Sequence, residues 1–523
     1  MALVVAGTVA PMARGEEQDS FAGRVWLGDD GLVTAVTREG DAAPGGFGAA
    51  PVLDVGDAVI HPGFVDLHSH LGYNALPLWS DPTQTTAYLH HDIWPGERSY
   101  GPQVGWPAWT LATRAPHCLL AYVQVRALAG GTTSIQGWPN LSRPPVNRLV
   151  RSVDDDQPGV LADPVSVSAL TLDVAELTAR AEAMRNGRVF VYHCAEGQPN
   201  SVVAREFEHL ATAGCLQRRL VAIHASALDA SHFSRWRRAS APRGAQRAGT
   251  VVWSPLSNLW LYGTTTPVRD ALDQRLAVAL GTDWGPSGTK NLLGEIKVAR
   301  LWSDHQGWGL SDLELVRMVT CDAGDALAPA WGHPVGRLVG GGLGDVVVVA
   351  RRHHDVWANV VAATEGDVVL VVVAGAARYG TKALMEAAGQ RATTSVPVRS
   401  ARRRVVLARP EDPGRPWPWT DVLSRLNAVR ADAASTPPAG PAAGRVRRRP
   451  PDPSVGDPPG SPELVVRLDM PGGPAETAGP PPKGTTVAIP PIEPLHHDRR
   501  WLASVHGRGF HAGVLDALAR FYR

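Results

Sequence analysis

Hydrophobic and polar positions follow two patterns along this chain. Residues 1–62 read as short apolar strands broken by glycine, such as "ALVVAG" and "PVLDVGDAVIHPG", without a helical period. From residue 63 to about 330, strand-like runs such as "RVFVYHCAEG" alternate with helical segments such as "DVAELTARAEAMRNG". This alternation predicts an α/β fold with a parallel sheet, either open or closed into a barrel. No GxGxxG motif opens a helix after the first strand, which disfavours an open nucleotide-binding sheet.

Strand character returns in residues 331–405, as in "GDVVVVAR" and "GDVVLVVVAG". These strands need partners, and so do the strands of residues 1–62. A β-domain assembled from residues 1–62 and residues 331–405 would supply partners for both sets of strands.

The C-terminal part of the chain has a different composition. Residues 431–483 are rich in Pro, Gly, Ala and Arg, and such a segment buries too little apolar surface to offset its ordering entropy. We therefore predict a Pro/Arg-rich, largely disordered linker over residues 406–490, protease-sensitive within 431–483, with one strand at "ELVVRLDM". Residues 491–523 instead carry apolar side chains at helical spacing and predict a helical segment that docks on the body or on a neighbouring subunit. Those apolar residues are Trp501, Leu502, Phe510, Val514, Leu515, Leu518 and Phe521.

Charge and cysteine content narrow the class of protein. The formal net charge of +1 argues against nucleic acid or an acidic membrane as a partner, and we interpret the arginine runs at 402–404 and 447–449 as solvated. Four scattered cysteines without CxxC spacing favour a reduced, cytoplasmic setting. The apolar N-terminus has no basic region and reads as a first strand rather than a signal peptide. No run approaches the roughly 18 apolar residues of a membrane span.

Polar residues stand where several of these strands end. His68 and His70 follow an apolar run, and two positions apart on a strand they point to the same face. The strand of "VFVYHCAEG" ends near His193, "LVAIHASAL" contains His224, and "VALGTDWG" contains Asp283. Each alone is more typical of a buried structural residue. In a (β/α)8 barrel, however, the carboxyl ends of all strands meet at one mouth.

These motifs resemble those of the amidohydrolase superfamily over residues 1–390. "PGFVDLHSH", "HCAE", "IHA" and "GTDW" match the family motifs of strands one, five, six and eight, in that order. "SPLSNLWLYG" and "PSGTKNLLGEIKVA" further resemble the branch that contains cytosine deaminase, adenosine-type deaminases and atrazine chlorohydrolase. The resemblance implies a TIM-like (β/α)8 barrel over 63–330, flanked by a composite β-sandwich from 1–62 and 331–405.

The resemblance also implies a metal site. The expected ligands are His68, His70, His193 and Asp283. Three imidazoles with a carboxylate suit one Zn²⁺ ion, and Fe²⁺ is the second choice. Such an ion lowers the pKa of bound water from about 15.7 towards about 7, which makes hydroxide available at neutral pH.

Three residues are expected to act in catalysis. By family analogy Asp283 also takes a proton from the attacking water, and His224 polarises or orients a substituent on the attacked carbon. Glu196, three residues after His193, is placed to carry a proton to the leaving nitrogen.

The dinuclear members of the family bridge two metals with a carboxylated lysine, but the first lysine here is Lys290. Glu176 or Glu182 could replace that bridge, although both lie in a helical pattern. A mononuclear hydrolase of non-peptide C–N bonds, a deaminase or an amide or amidine hydrolase, is therefore favoured. The alternatives are a dinuclear cyclic-amide hydrolase and a non-catalytic binding protein of the same fold.

We expect a small-molecule substrate, and tryptophans near the strand ends suggest a planar nitrogen heterocycle. Packing of long loops explains the same tryptophans equally well. The long segment 77–109 is interpreted as a lid, and a homo-oligomer is left open. The tryptophans are Trp79, Trp138, Trp253, Trp260 and Trp284.

Overall fold

The computed structural model describes residues 2–81, 83–154, 160–162, 172–244, 246–432, 464–470, 488–505 and 513–518. The strands β1 to β13 are Leu3–Val9, Phe21–Leu27, Val33–Arg38, Val52–Pro62, Phe64–Asp66, Thr132–Ile135, Asn140–Leu141, Arg151–Ser152, Val160–Ala162, Val189–Cys194, Leu220–His224, Thr250–Trp253 and Ala277–Leu280. The strands β14 to β21 are Val346–Ala350, Val368–Val373, Ala376–Gly380, Thr394–Val398, Ala401–Val405, Ala408–Arg409, Asp412–Pro416 and Val466–Arg467.

The α-helices of the described residues lie mainly between these strands. Helices α1 to α7 are Trp106–Arg114, Pro116–Ala129, Val174–Arg185, Glu206–Thr212, Ala230–Ser240, Pro255–Tyr262 and Val268–Asp273. Helices α8 to α14 are Leu292–Gln306, Asp312–Val319, Cys321–Trp331, Val356–Ala362, Lys382–Ala387, Trp419–Ala431 and Arg499–Val505. No helix in the described part of the chain is both long and apolar enough to span a lipid bilayer.

One sheet joins two distant parts of the chain. Its nine strands run in the order β17-β18-β16-β15-β14-β4-β1-β2-β3. Strand β4 is the junction, because it pairs in parallel with β1 on one side and antiparallel with β14 on the other. Val5 of β1, Ile60 of β4 and Val348 of β14 are buried together on one face of this sheet. The sheet therefore combines strands from both ends of the region, as the sequence pattern predicts.

Parallel strands carry the central part of the fold. Strands β9 to β13 form a five-stranded parallel sheet, and β5, β6 and β8 form a three-stranded one. A parallel bridge between Ser69 and Asp283 connects the end of β5 to the end of β13. Side chains from both sheets, such as Val65, Val191 and Val252, form one buried cluster that helix α10 closes. The fold is thus mixed α/β, with parallel strands whose carboxyl ends lie together.

The linker prediction is wrong for the described residues between 406 and 432. Helix α13 forms there because Trp419, Val422 and Leu426 are apolar at helical spacing and all are buried. Trp419 stacks on Tyr122 of α2, with ring centroids 5.9 Å apart. The predicted strand within "ELVVRLDM" is present as β21, so residues 464–470 are also structured. Residues 433–463 and 471–487 of the predicted linker lie outside the described residues.

The C-terminal segment contacts the body of the molecule. Asp498 forms an ion pair with Lys290, with 2.9 Å between the carboxylate oxygen and Nζ. Trp501, Val514, Leu515 and Leu518 are buried in the main core cluster. Phe510 and Phe521, which the docking prediction also used, lie outside the described residues.

The nine-stranded sheet yields a stability prediction. Val348 is fully buried in central strand β14, so Val348→Ala should lower the free energy of unfolding by about 1.5–3 kcal/mol through lost burial and a residual cavity. Val52→Ala is the matched control, because Val52 is 54% exposed and its loss should change stability by about 0.5 kcal/mol or less. Urea unfolding followed by circular dichroism measures both values. Equal effects of the two substitutions would contradict the assigned core face.

Candidate active site

The ends of the first and last parallel strands are joined by their backbones. The N–H of Asp283 donates to the carbonyl of His68, and the N–H of His70 donates to the carbonyl of Asp283, each at 2.9 Å. Buried Asp66 strengthens this junction by accepting from the hydroxyl and N–H of Thr282, at 2.6 and 3.1 Å. As a result, both histidines of the HxH pair face the Asp283 carboxylate.

The next two groups come from adjacent strands in the middle of the sheet. His193 lies in β10, and Cys194 pairs with His224 at the end of β11. The chain turns abruptly at these strand ends, since His224 has a φ of 66° and Asp283 a φ of 55°. Residues other than glycine rarely occupy this left-handed region, and such strain concentrates at functional sites.

The side chains converge in a space closed to solvent. Nε2 of His68 lies 3.1 Å and Nε2 of His70 lies 3.6 Å from Oδ1 of Asp283. The ring centroids of His68 and His193 are 4.7 Å apart. The nitrogen and oxygen atoms that could bind a metal form three overlapping sets, and the atoms of each set lie within 4.8 Å of one another. These sets are His68, His193 and His224; His68, His70 and Asp283; and Glu196, His224 and Asp283.

Burial and mutual charge set the protonation of these groups. Burial lowers the pKa of His193 well below its ordinary value, and the neighbouring imidazoles lower it further. Burial alone would raise the pKa of Asp283, but the imidazoles around it outweigh this effect and lower it. The site therefore combines an ionised carboxylate with at least one neutral imidazole.

This donor set fits a divalent transition metal. Three imidazoles and a carboxylate are ligands that Zn²⁺ and Fe²⁺ accept. Nδ1 of His193 is buried and has no hydrogen-bond partner among the described residues, which a bound cation would remedy. The metal prediction is thereby supported, whereas the choice between Zn²⁺ and Fe²⁺ is not decided by these residues.

Hydrogen bonds on Nδ1 orient two of the predicted ligands. Nδ1 of His70 lies 2.7 Å from the carboxylate of Asp469, a residue that the sequence analysis did not single out. Nδ1 of His68 is 3.5 Å from the amide oxygen of Gln136, a longer contact with a neutral acceptor. In both rings the Nδ1–H donates outward, so the Nε2 lone pair points to the centre of the site.

His224 has the opposite arrangement. The amide oxygen of Asn258 accepts from the hydroxyl of Thr265 at 3.3 Å, so its amide nitrogen faces the imidazole. This nitrogen donates to Nδ1 of His224 at 3.1 Å. The proton of the neutral ring is then on Nε2, which points to Glu196 at 3.6 Å. His224 is thus arranged to donate a hydrogen bond rather than to bind a metal.

Glu196 is held by a chain of donors. The hydroxyl of Tyr262 donates to Oε1 of Glu196 at 2.6 Å, and the indole of Trp94 donates to that hydroxyl at 3.1 Å. Burial and the Asp283 charge raise the pKa of Glu196 to about 7, against the opposing effects of His91 and Tyr262. A carboxyl group with this pKa exchanges protons readily near neutral pH.

The described residues of the segment 77–109, which exclude residue 82, lie over the strand ends. The N–H of Trp79 donates to the carbonyl of Pro286 at 2.7 Å, and the indole of Trp260 donates to the carbonyl of Trp79 at 2.8 Å. Trp94 packs against Trp284, with centroids 5.1 Å apart. The five tryptophans noted in the sequence are all buried, and those named here pack the covering segment onto the body. A role for them in stacking on a substrate stays a prediction.

The two candidate bridging glutamates lie away from these groups. Both are exposed on helix α3, and Glu176 caps the start of that helix by accepting from the N–H of Asp173 at 2.9 Å. Neither side chain belongs to the donor sets of the site. The structure therefore does not bring them to the predicted ligands.

Known proteins with similar sequences or structures agree on one family. A 5-methylthioadenosine/S-adenosylhomocysteine deaminase from Pyrococcus abyssi is 23% identical over 62% of this chain and 84% of its own length. An adenosine deaminase structure from Xanthomonas campestris with bound zinc has a TM-score of 0.54 at 20% identity, covering 74% of this chain and 97% of that one. An atrazine chlorohydrolase mutant from Arthrobacter aurescens, complexed with zinc and atraton, has a TM-score of 0.55 at 17% identity, covering 72% and 94%. No protein-family model matches the chain.

The sequence relatives and the structural neighbours indicate the amidohydrolase superfamily. They place this chain in the deaminase and chlorohydrolase branch, as the ordered motifs predict. The predicted class, a metal-dependent hydrolase of C–N bonds, is likewise confirmed. The individual roles of the site residues stay predictions.

The geometry predicts which substitution removes a metal. Purified protein should carry close to one transition-metal ion per chain, and His193→Ala should lose most of it, because an imidazole is missing from the donor set. His61→Ala is the control, since His61 is another fully buried histidine but lies outside the site. Elemental analysis of the folded fraction measures the metal. Two tightly bound ions per chain, or full retention by His193→Ala, would contradict the assignment.

Proposed function

We propose that this chain is a mononuclear deaminase that releases ammonia from an amino-substituted nitrogen heterocycle. The observation that carries the proposal is one buried site in which Glu196, held by Tyr262, faces imidazoles and an ionised carboxylate. That arrangement pairs a metal site with a carboxyl group able to deliver a proton to a leaving nitrogen.

His68, His70, His193 and Asp283 would hold one divalent ion, with Zn²⁺ favoured because both structural neighbours above contain zinc. A bound ion of this kind lowers the pKa of water towards about 7 and so supplies a nucleophile at neutral pH. One ion is proposed because the first lysine of the chain is Lys290, so no carboxylated lysine can precede it. Lys290 itself pairs with Asp498.

Three side chains then divide the work of the reaction. Asp283 accepts a proton from the attacking water as the new C–O bond forms. Glu196 carries a proton to the exocyclic nitrogen, so that the C–N bond breaks and ammonia leaves. His224, with its proton on Nε2, donates a hydrogen bond to the ring or to the developing oxygen.

The substrate class follows from what the similar proteins are named for. The curated relatives are named as deaminases of 5-methylthioadenosine and S-adenosylhomocysteine, and one structural neighbour as an adenosine deaminase. These names share a 6-aminopurine ring, and the triazine of the chlorohydrolase complex is also a planar ring rich in nitrogen. A 6-aminopurine nucleoside or a related aminoheterocycle is therefore the proposed substrate.

We extend the proposal to the fold, as a closed (β/α)8 barrel beside the composite β-domain. Eight parallel strands, β5, β6 and β8 to β13, are available for it. The two parallel sheets meet at two junctions in such a barrel. The Ser69–Asp283 bridge between the ends of β5 and β13 and the shared buried cluster support closure at the first junction. The second junction, between β8 and β9, adjoins residues 155–159, which lie outside the described part of the chain.

Two alternatives are less well supported. A dinuclear cyclic-amide hydrolase needs a bridging residue, and Glu176 and Glu182 lie on a surface helix instead. A non-catalytic binding protein has no need for Glu196 held by Tyr262 next to the donor set. The deaminase accounts for every group in the site.

The proposal predicts ammonia release and its dependence on Glu196. The metal-loaded protein should release ammonia from at least one member of a panel containing adenosine, 5-methylthioadenosine, S-adenosylhomocysteine and guanine. Glu196→Gln keeps the shape of the side chain but cannot carry the proton, so kcat should fall by about 10²–10⁴-fold while metal content is unchanged. The exposed Glu208→Gln is the control and should keep its rate. A fully active Glu196→Gln protein would refute the proton-transfer role.

The hydrogen bond from Tyr262 gives a second kinetic prediction. Tyr262→Phe keeps the ring but removes the donor to Glu196, and a hydrogen bond to a charged group contributes about 1.5–3 kcal/mol. We therefore expect kcat/KM to fall by about 10- to 100-fold. Tyr379→Phe is the matched control, because that buried hydroxyl has no hydrogen-bond partner among the described residues. Equal rates for both variants would show that Tyr262 does not support Glu196.

A further inference from the structure

A short piece of the C-terminal region lies against the loop that carries the predicted metal ligands. Residues 464–470 form this piece, here called the strap. Its strand β21 pairs antiparallel with β7, and Val465 exchanges two hydrogen bonds with Ser142, at 3.0 and 3.1 Å. Leu464, Val466 and Met470 of the strap are buried. The strap lies outside residues 1–390, over which the motifs of the amidohydrolase superfamily extend.

The turn after His70 is shaped to receive the strap. Gly72 has no side chain, and a Cβ placed there would lie 2.5 Å from a methyl group of Leu468. The hydroxyl of Tyr73 donates to the backbone carbonyl of Met470 at 3.2 Å. These two contacts flank Asp469 on either side and hold its backbone beside the turn.

Asp469 reaches the site itself. Its Oδ2 lies 2.7 Å from Nδ1 of His70, and both side chains are about 95% buried. A carboxylate at this depth needs a compensating partner, and the Nδ1–H of the imidazole supplies one. The contact fixes the ring so that Nε2 faces Asp283.

We propose that Asp469 is a positioning residue of the metal site, delivered by the C-terminal strap. It fixes the tautomer and the ring orientation of His70 and makes its Nε2 lone pair a stronger ligand for the metal. In the corresponding position of His68, the neutral oxygen of Gln136 lies 3.5 Å from Nδ1. The inference rests on the proposed function in one respect, namely that His70 binds the metal.

The test compares full-length variants by their metal binding rather than their activity. Asp469→Ala removes the partner of His70, and Asp469→Asn keeps an acceptor of the same size without the charge. Asp498→Asn is the matched control, because it alters another buried carboxylate of the C-terminal region that pairs with Lys290 instead. Zn²⁺ affinity is measured by chelator competition, and the geometry of the site by the visible absorption of the Co²⁺-loaded protein.

We expect Asp469→Ala to bind Zn²⁺ about 10- to 100-fold more weakly and to change the Co²⁺ spectrum, with a smaller effect for Asp469→Asn. Asp498→Asn should keep the wild-type affinity and spectrum, even if its melting temperature falls. Wild-type affinity and an unchanged spectrum in both Asp469 variants would overturn the inference, whatever their stability. A wild-type chain that binds neither ion would instead overturn the metal site of the proposed function, and the inference with it.

Discussion

The structure depends on holding several ionisable side chains together out of water. His68, His70, His193, Glu196, His224 and Asp283 are all at least 95% buried. Burying polar and charged groups is costly unless each finds a partner. The backbone junction between the ends of β5 and β13 and the strained turns at His224 and Asp283 serve this convergence. A cation at the centre would be the remaining partner, since it accepts the lone pairs that the fold directs inward.

Two segments far apart in sequence enclose this site, and each brings one polar contact to it. The segment 77–109 reaches Glu196 through Trp94 and Tyr262. The strap reaches His70 through Asp469. Both contacts are hydrogen bonds to side chains of the candidate site. Because the same segments exclude water, every charge inside interacts more strongly than it would at a surface. Enclosure and positioning are therefore two effects of the same packing.

Much of this arrangement could be predicted from the sequence, because strand-end motifs report local structure and parallel strands bring their ends together. That reasoning predicted the six residues named above, and the structure brings their side chains together. It missed Asp469 and Tyr262, since their roles arise from tertiary contacts 399 and 66 residues apart in sequence. It also misjudged residues 419–431, which it included in the predicted linker although Trp419, Val422 and Leu426 are apolar at helical spacing. Composition averages over a window, whereas burial depends on which face each residue occupies.

The hydrogen-bond partner of Nδ1 determines which imidazoles of the site can bind a metal through Nε2. For His70 and His68 that partner is an oxygen acceptor, so the proton stays on Nδ1 and Nε2 is free to bind a metal. For His224 it is the amide nitrogen of Asn258, a donor, so the proton must move to Nε2. A ring in that state cannot offer an Nε2 lone pair, although it lies within ligand distance of His68 and His193. Distance alone would admit His224 as a ligand. The hydrogen-bond network instead makes it a donor, which supports the proposed choice of His68, His70 and His193 as the imidazole ligands.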